Sequence, residues 1–98
     1  MHRAVRSLRK NQALARIAAV ESELRRWDPL DLSGLAPEDE YDTYAPPIVT
    51  LVNEGANAWR IAQHLTALQS EQFGVEPTPA ENLKIAGHIL EALSLLPS

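Results

Sequence analysis

Apolar residues along the chain recur at helical spacing in four segments. In the first segment they alternate steps of four and three, which places them on one face of a helix: Ala13, Ile17, Val20, Leu24 and Trp27. Arg25 and Arg26 suit the negative end of the helix dipole, and Asp28-Pro29 ends the helix because a residue before proline disfavours the α conformation. The pattern predicts a first helix from residue 4 or 12 to residue 26. Residues 1–11 match it poorly and are expected to form a frayed basic extension.

The second segment follows a loop over residues 28–36 and runs to Gly55. Pro37 stands at the first helical position, and three acids fill the first turn, where free backbone N–H groups favour carboxylates: Glu38, Asp39 and Glu40. Pro46 and Pro47 lie inside this helix. Each removes a backbone donor and crowds the preceding turn, so a kink or a restart is expected there.

The third and fourth segments carry clear start signals. Asn57 is expected to cap a third helix with the apolar positions Ile61, Leu65, Leu68 and Phe73, ended by Gly74. The sequence Thr78-Pro79-Ala80-Glu81 has the form of a capping box, in which the threonine hydroxyl accepts from the N–H of Glu81. The buried side of the fourth helix is expected to contain Ile85 or Ala86, Ile89, Leu90 and Leu93.

These segments predict an all-α fold, a single compact four-helix domain over residues 1–98 with a kinked second helix. The chain has no β-hairpin signal and no internal repeat. With five aromatic residues in 98, the core should be aliphatic, and Leu24, Leu51, Leu65 and Ile89 are expected to be buried. Gly87 lies inside the fourth helix and is expected to mark close helix packing.

The residues that usually carry chemistry are missing or poorly placed. The chain has no cysteine, which excludes disulfides, thiolate metal sites and thiol nucleophiles. His88 and Glu91 stand at the spacing used in carboxylate bundles, but such sites need several more acids on facing helices. No serine lies in a nucleophile motif and no glycine loop could hold phosphate. We therefore expect no catalytic residue, no metal, no cofactor and no enzymatic activity.

The charge is unevenly distributed. Seven of the nine Lys and Arg residues lie between Arg3 and Arg26, whereas residues 28–54 contain seven acids and no base. An acidic and aromatic segment of this kind could steer a basic protein partner and supply contact area. The candidate partner-binding residues are Trp27, Asp28, Glu38, Asp39, Glu40, Tyr41, Asp42 and Tyr44.

A structural interpretation of the same residues competes with the binding interpretation. The acids then complement the helix dipole, the tyrosines pack on the first helix, and Arg16, Arg25 or Arg26 pair with the carboxylates. For individual residues this interpretation is favoured, since helix starts attract acids for local reasons. Trp59 is compatible with a surface position or with the core.

Part of this segment resembles a known group of proteins. Trp27-Asp28-Pro29, the run Asp39–Tyr44 (D-E-Y-D-T-Y), and Glu71 to Gly74 after a further helix resemble small bacterial all-helical proteins of unassigned function. The resemblance covers residues 13–75 and departs after W-D-P, where this chain has Leu30-Asp31-Leu32. It implies a bacterial, cytoplasmic, helical protein and nothing enzymatic.

Two classes of function follow. The first is a protein-interaction module, most specifically an immunity or antitoxin-like protein that covers a basic surface of a toxin. The alternative is a nucleic-acid-binding or regulatory protein that uses Arg3, Arg6, Arg9 and Lys10 on the first helix. The net charge of −4 makes nucleic acid the less favoured partner.

The first twenty residues contain bases and no acid, as an amphipathic transit peptide does. A basic helix of the mature protein is favoured, because the segment has one serine and continues without a break into the first helix. No apolar run approaches the ~20 residues that span a bilayer, so no membrane partner is expected. The expected compartment is the bacterial cytoplasm.

Overall fold

A computed structural model describes the backbone of residues 2–30 and 41–96, and the side chains from residue 10 onward within those ranges. Within these ranges four α-helices follow one another: α1 (His2–Trp27), α2 (Ala45–Asn53), α3 (Ala58–Ala67) and α4 (Pro79–Ser94). A 3-10 turn, Asp42–Tyr44, precedes α2, and a π-helical turn, Leu68–Phe73, extends α3. Neither described range contains a β-strand, and the prediction of a single all-α domain is confirmed.

Helix α1 is the element on which α2 and α4 both pack. Arg25 near its end contacts Asp42 ahead of α2, and Arg16 contacts Asn53 at the end of α2. Trp27 meets Asn82 in the first turn of α4. Both α2 and α4 therefore run antiparallel to α1, while α3 packs mainly on α4.

The buried face of α1 lies in its second half. Val20, Leu24 and Trp27 belong to the core as predicted, and Ile17 is partly buried. Ala13 is exposed, and its predicted place in the buried stripe is wrong. At about 1.5 Å per residue, α1 is about 39 Å long and α4 about 24 Å, so the first turns of α1 extend beyond the helices that cover the rest. The helical backbone nevertheless begins at His2, within the segment expected to fray.

Helix α2 begins at Ala45, directly before the two prolines, so they do not lie in the interior of a longer helix as predicted. Pro46 and Pro47 lie in its first turn, where backbone N–H groups have no helical partner, so the missing donors cost nothing. The change from the 3-10 turn to the α-helix is the restart expected at this point. The preceding part of the predicted helix, Pro37 to Glu40, lies outside the described residues.

The buried stripe of α2 follows Ala45, Ile48 and Val49, with Val52 partly buried. Leu51 lies at the edge of this stripe and is only half-buried, so its predicted burial is wrong. The other three residues expected in the core, Leu24, Leu65 and Ile89, are fully buried.

Helix α3 starts and stops where the sequence predicts. The Asn57 side chain accepts from the N–H of Arg60 at 2.9 Å, and Gly74 ends the π-helical turn with a left-handed φ of 64°. The π-helical turn widens the helix, because its hydrogen bonds join residues five apart. Phe73 consequently follows Leu68 on the side facing the core, a position that Gln72 would occupy in a regular α-helix.

Among the described residues, the most deeply buried polar side chains are those of Asn82 and Gln69, which are 0% and 2% exposed. Asn82 Oδ1 accepts from Trp27 Nε1 at 2.8 Å, and Asn82 Nδ2 donates to Gln69 Oε1 at 2.7 Å and to Thr66 Oγ1 at 3.0 Å. The network therefore joins α1, α3, the π-helical turn and α4. Buried amides without partners would cost about 1–3 kcal/mol each, and here both amides are satisfied.

Thr78 belongs to this network, and the capping-box prediction is wrong. Thr78 does stand directly before α4, and its carbonyl accepts from the N–H of Asn82 at 2.8 Å. Its hydroxyl, however, accepts from Gln69 Nε2 at 3.0 Å and donates to Asn82 Oδ1 at 3.2 Å, with no bond to the N–H of Glu81. Glu81 is exposed, so water can satisfy its N–H, whereas Gln69 and Asn82 are buried and need a protein partner.

Alanine substitutions at three asparagines should show that this buried network contributes more to the free energy of unfolding than a helix cap or an exposed hydrogen bond does. Asn82→Ala leaves the buried Trp27 N–H without its acceptor and removes the bonds of Asn82 to Gln69 and Thr66, and it should reduce the free energy of unfolding by about 2–5 kcal/mol. Asn57→Ala removes a cap and should cost about 0.5–2 kcal/mol. Asn53→Ala removes an exposed bond to Arg16 and should cost less than about 0.5 kcal/mol. Urea unfolding followed by circular dichroism measures all three, and equal losses would contradict the network's role.

Gly87 does not mark close packing, contrary to expectation. A Cβ built on Gly87 would meet no heavy atom within 4 Å in the described part of the chain. Glycine inside a helix carries an entropic cost relative to alanine and gains nothing here in return. Gly87→Ala should therefore raise the free energy of unfolding by about 0.5–1 kcal/mol. Thermal unfolding of this variant checks the claim, and a lower melting temperature would refute it.

Candidate functional site

Four of the five aromatic side chains form one cluster. The rings of Trp27, Tyr41 and Tyr44 each meet Phe73 edge-on, with centroid distances of 6.2, 5.9 and 5.0 Å. Trp27 and Tyr41 are 5% and 4% exposed, and Tyr44 is half-buried. Edge-to-face contacts at these distances stabilise a core. The expectation that Trp27 and Tyr41 offer exposed contact area therefore does not hold, because both rings are needed around Phe73.

The Trp27-Asp28-Pro29 turn is fastened to Tyr41. Asp28 has a left-handed φ of 41°, a conformation that aspartate tolerates better than most residues, and its N–H donates to the carbonyl of Leu24 at 3.0 Å. The Tyr41 hydroxyl donates to Asp28 Oδ1 at 2.7 Å and accepts from the N–H of Leu30 at 3.0 Å. The hydrogen bonds of Tyr41 to Asp28 and Leu30 therefore hold the end of α1 close to the 3-10 turn that begins at Asp42.

Asp42 faces both a base and an acid of α1. Arg25 Nη2 lies 3.3 Å from Asp42 Oδ1, in an ion pair whose two side chains are partly exposed. Partial burial, together with the neighbouring Asp42 carboxylate, raises the pKa of Glu21 above its ordinary 4.5, and Arg25 opposes the shift. Asp42 is therefore engaged with α1 on two sides.

The described part of the predicted binding segment thus follows its structural interpretation. Trp27, Asp28, Tyr41, Asp42 and Tyr44 all pack or pair within the domain, and an arginine does pair with a carboxylate. Glu38, Asp39 and Glu40 lie outside the described residues. A role in partner binding stays a prediction for all eight candidate residues.

The fifth aromatic side chain, Trp59, is exposed to solvent. It lies in the first turn of α3 and is 64% exposed. Two residues correspond to about 200° around a helix, so Trp59 lies opposite the buried Ile61. Arg60 and Gln63 beside it are exposed, and burial, assisted by Arg60, lowers the pKa of the neighbouring His64. The sequence indicates this exposure, because Trp59 lies two residues before Ile61, which belongs to the apolar face of the predicted third helix.

Within the described ranges, no group of three or more His, Asp or Glu side chains could hold a metal ion. No helix there is both long and apolar enough to cross a bilayer.

Comparison with family models, with curated proteins and with solved structures finds no match to this chain. The resemblance to small bacterial helical proteins stays a prediction.

Glu21 allows a test of the charge arrangement around Asp42. Because its folded-state pKa is raised, its carboxyl contributes less stability as the pH rises from 4.5 through that pKa. Glu21→Gln removes the repulsion from Asp42 and should raise stability at pH 7 by less than about 1 kcal/mol. The gain should disappear as the pH falls towards 4.5. Urea unfolding at several pH values measures it, and a destabilised variant at pH 7 would contradict the arrangement.

Proposed function

We propose that this chain is a protein-interaction module and that Trp59 is the centre of its contact surface. The observation that carries the proposal is the position of the two tryptophans: Trp27 is enclosed in the aromatic cluster, whereas Trp59 is 64% exposed. Exposing a large ring forgoes the stabilisation of about 25 cal/mol for each Å² of apolar surface removed from water. A partner that covers Trp59 would recover this stabilisation.

The chemistry around Trp59 defines the partner's side of the contact. Tryptophan is enriched among residues that dominate binding energy, where the ring fills an apolar pocket and its N–H finds an acceptor. Arg60, Gln63 and Glu54 are exposed near this end of α3 and would form a polar rim. The partner should therefore offer a hydrophobic recess with a hydrogen-bond acceptor inside it.

The narrower form of the proposal is an immunity or antitoxin-like protein of the bacterial cytoplasm, with a basic partner. Its support is the acidic net charge and the concentration of seven acids within residues 28–54. In this form, Glu38, Asp39 and Glu40 steer the encounter and Trp59 supplies affinity. Charge steering acts mainly on the association rate, whereas a buried ring acts mainly on dissociation.

Trp59→Ser should weaken partner binding by about thirtyfold or more, since truncating a hot-spot residue costs about 2 kcal/mol or more. The melting temperature should change little, because the ring is mostly exposed. The partner is isolated by affinity capture from the organism whose genome encodes this chain, and it is then purified. Its Kd is measured for the wild-type protein and for Trp59→Ser. A second variant, Glu38→Gln, Asp39→Asn and Glu40→Gln together, should slow association in the narrower form and leave dissociation unchanged.

Trp27→Phe is the matched control, since it alters the buried tryptophan. It should lower stability, through loss of the bond to Asn82, without changing the affinity per folded molecule. A Trp59→Ser variant that binds as well as the wild type would remove the proposal. A triple variant with an unchanged association rate would remove only the narrower form.

A further inference from the structure

Helices α3 and α4 meet along one row of buried positions. Thr66 near the end of α3 bonds to Asn82 in the first turn of α4, and α3 packs mainly on α4, so the two helices run antiparallel. Steps of three or four residues from this bond stay on the faces by which the helices meet. Buried or partly buried residues occupy these positions: Ala58 and Ala62 in α3, and Ala86 and Ile89 in α4.

The residues that directly follow these positions lie on the outer side of the helix pair. One residue corresponds to about 100° around a helix, and in antiparallel helices that step turns to the same side of both. The residues of this outer face are Trp59 and Gln63 in α3, and Leu83, Gly87 and Leu90 in α4. None of the five is charged.

The outer face carries both a projection and a hollow. The projection is the ring of Trp59, which is 64% exposed. The hollow lies at Gly87, where an added Cβ would meet no heavy atom within 4 Å in the described part of the chain. Leu83 is 43% exposed one turn before Gly87, and Leu90 is partly buried one turn after it. The hollow therefore has an apolar side chain at each end, and the exposed amide of Gln63 on α3 supplies an acceptor.

This hollow has the properties that the exposed ring requires of its partner, an apolar recess with an acceptor beside it. Because the ring and the hollow lie on the same face, the face is self-complementary, and a twofold axis brings each ring to the other copy's hollow. Within one copy Gly87 costs helix stability and relieves no crowding. Between two copies it lets the ring approach the backbone of α4.

The charge and the size of the outer face fit a second copy of this chain. Each copy has a net charge of −4, so two copies repel each other where charged surfaces meet. The outer face brings uncharged residues together, as the centres of protein interfaces do. Two helices, each about 10 Å wide and up to about 24 Å long, cover about 500 Å² on each copy, or about 1,000 Å² in total, which is typical of a weak, transient dimer.

We propose that two copies of this chain associate through the outer face, with Trp59 of each copy seated over Gly87, between Leu83 and Leu90, of the other. This interface depends on the function proposed above, because Trp59 is its contact residue and the second copy is the partner of that residue. Any other protein that binds Trp59 must displace the second copy.

Sedimentation equilibrium of the wild-type protein at increasing concentration tests for the dimer. The weight-average mass should rise from that of one chain towards that of two. A mixture of isotope-labelled and unlabelled protein then shows which surfaces meet. NOEs filtered for contacts between copies should join the Trp59 ring to the Hα protons of Gly87 and the methyl groups of Leu83. Neither measurement needs a variant.

Two variants remove the two halves of the contact. Trp59→Ser removes the ring, and Gly87→Leu fills the hollow from a position where the Cβ meets no described atom. Each should raise the dimer Kd by about thirtyfold or more, since each change occurs twice in the dimer. Ala18→Leu, a leucine added at an exposed position of α1, is the control and should leave the Kd unchanged. Circular dichroism verifies that each variant is folded.

A wild-type protein that is still monomeric at about 1 mM, where even weak specific dimers form, would overturn the dimer. If Trp59→Ser nevertheless weakens binding of a different captured protein, the function proposed above stands and only the second copy is wrong. A dimer that persists unchanged in folded Gly87→Leu or in Trp59→Ser overturns the contact itself. Trp59→Ser that affects neither the dimer nor any captured partner contradicts both proposals.

Discussion

The buried amide of Asn82 is the constraint on which the arrangement of the helices depends. Apolar stripes alone allow α4 to slide along α1 by a turn with little loss of burial, because the hydrophobic effect is not directional. Hydrogen bonds are directional, and those of Asn82 reach Trp27, Thr66, Gln69 and Thr78 together. Any slide would leave several of these groups buried without partners. The hydrogen bonds of Asn82 therefore fix the position of α4 along α1.

The π-helical turn also contributes to the Asn82 hydrogen-bond network. It directs Gln69 inward to complete the amide network and Phe73 into contact with three other rings. A regular helix would place Gln72 where Phe73 lies, and the cluster that holds the segment before α2 would lose its central ring. The irregular turn thus joins the polar and the aromatic parts of the core.

Local signals in the sequence predicted local structure well. The spacing of Val20, Leu24 and Trp27, the Asn57 cap and the Gly74 stop each depend on neighbours within a few residues. The Thr78 hydroxyl was mispredicted because its partners, Gln69 and Asn82, are brought to it by the packing of other helices. The fastening of Asp28 by Tyr41 likewise joins residues 13 apart in the chain through tertiary structure. Within the candidate site, the pairing of an arginine of α1 with a carboxylate was predicted from the charge pattern, and Arg25 pairs with Asp42. The exposure of Trp59 was left open, although its register against Ile61 indicates it.

The different surroundings of the two tryptophans give the protein two intrinsic optical reporters. Trp27 is packed against Phe73 and bonded to a buried amide, so its emission should lie at shorter wavelength and resist soluble quenchers. Trp59 is open to water, so its emission should lie at longer wavelength and respond to quenchers at once. Loss of the packed core changes the first signal, and coverage of α3 changes the second. Unlabelled protein can thus distinguish unfolding from docking by its own fluorescence.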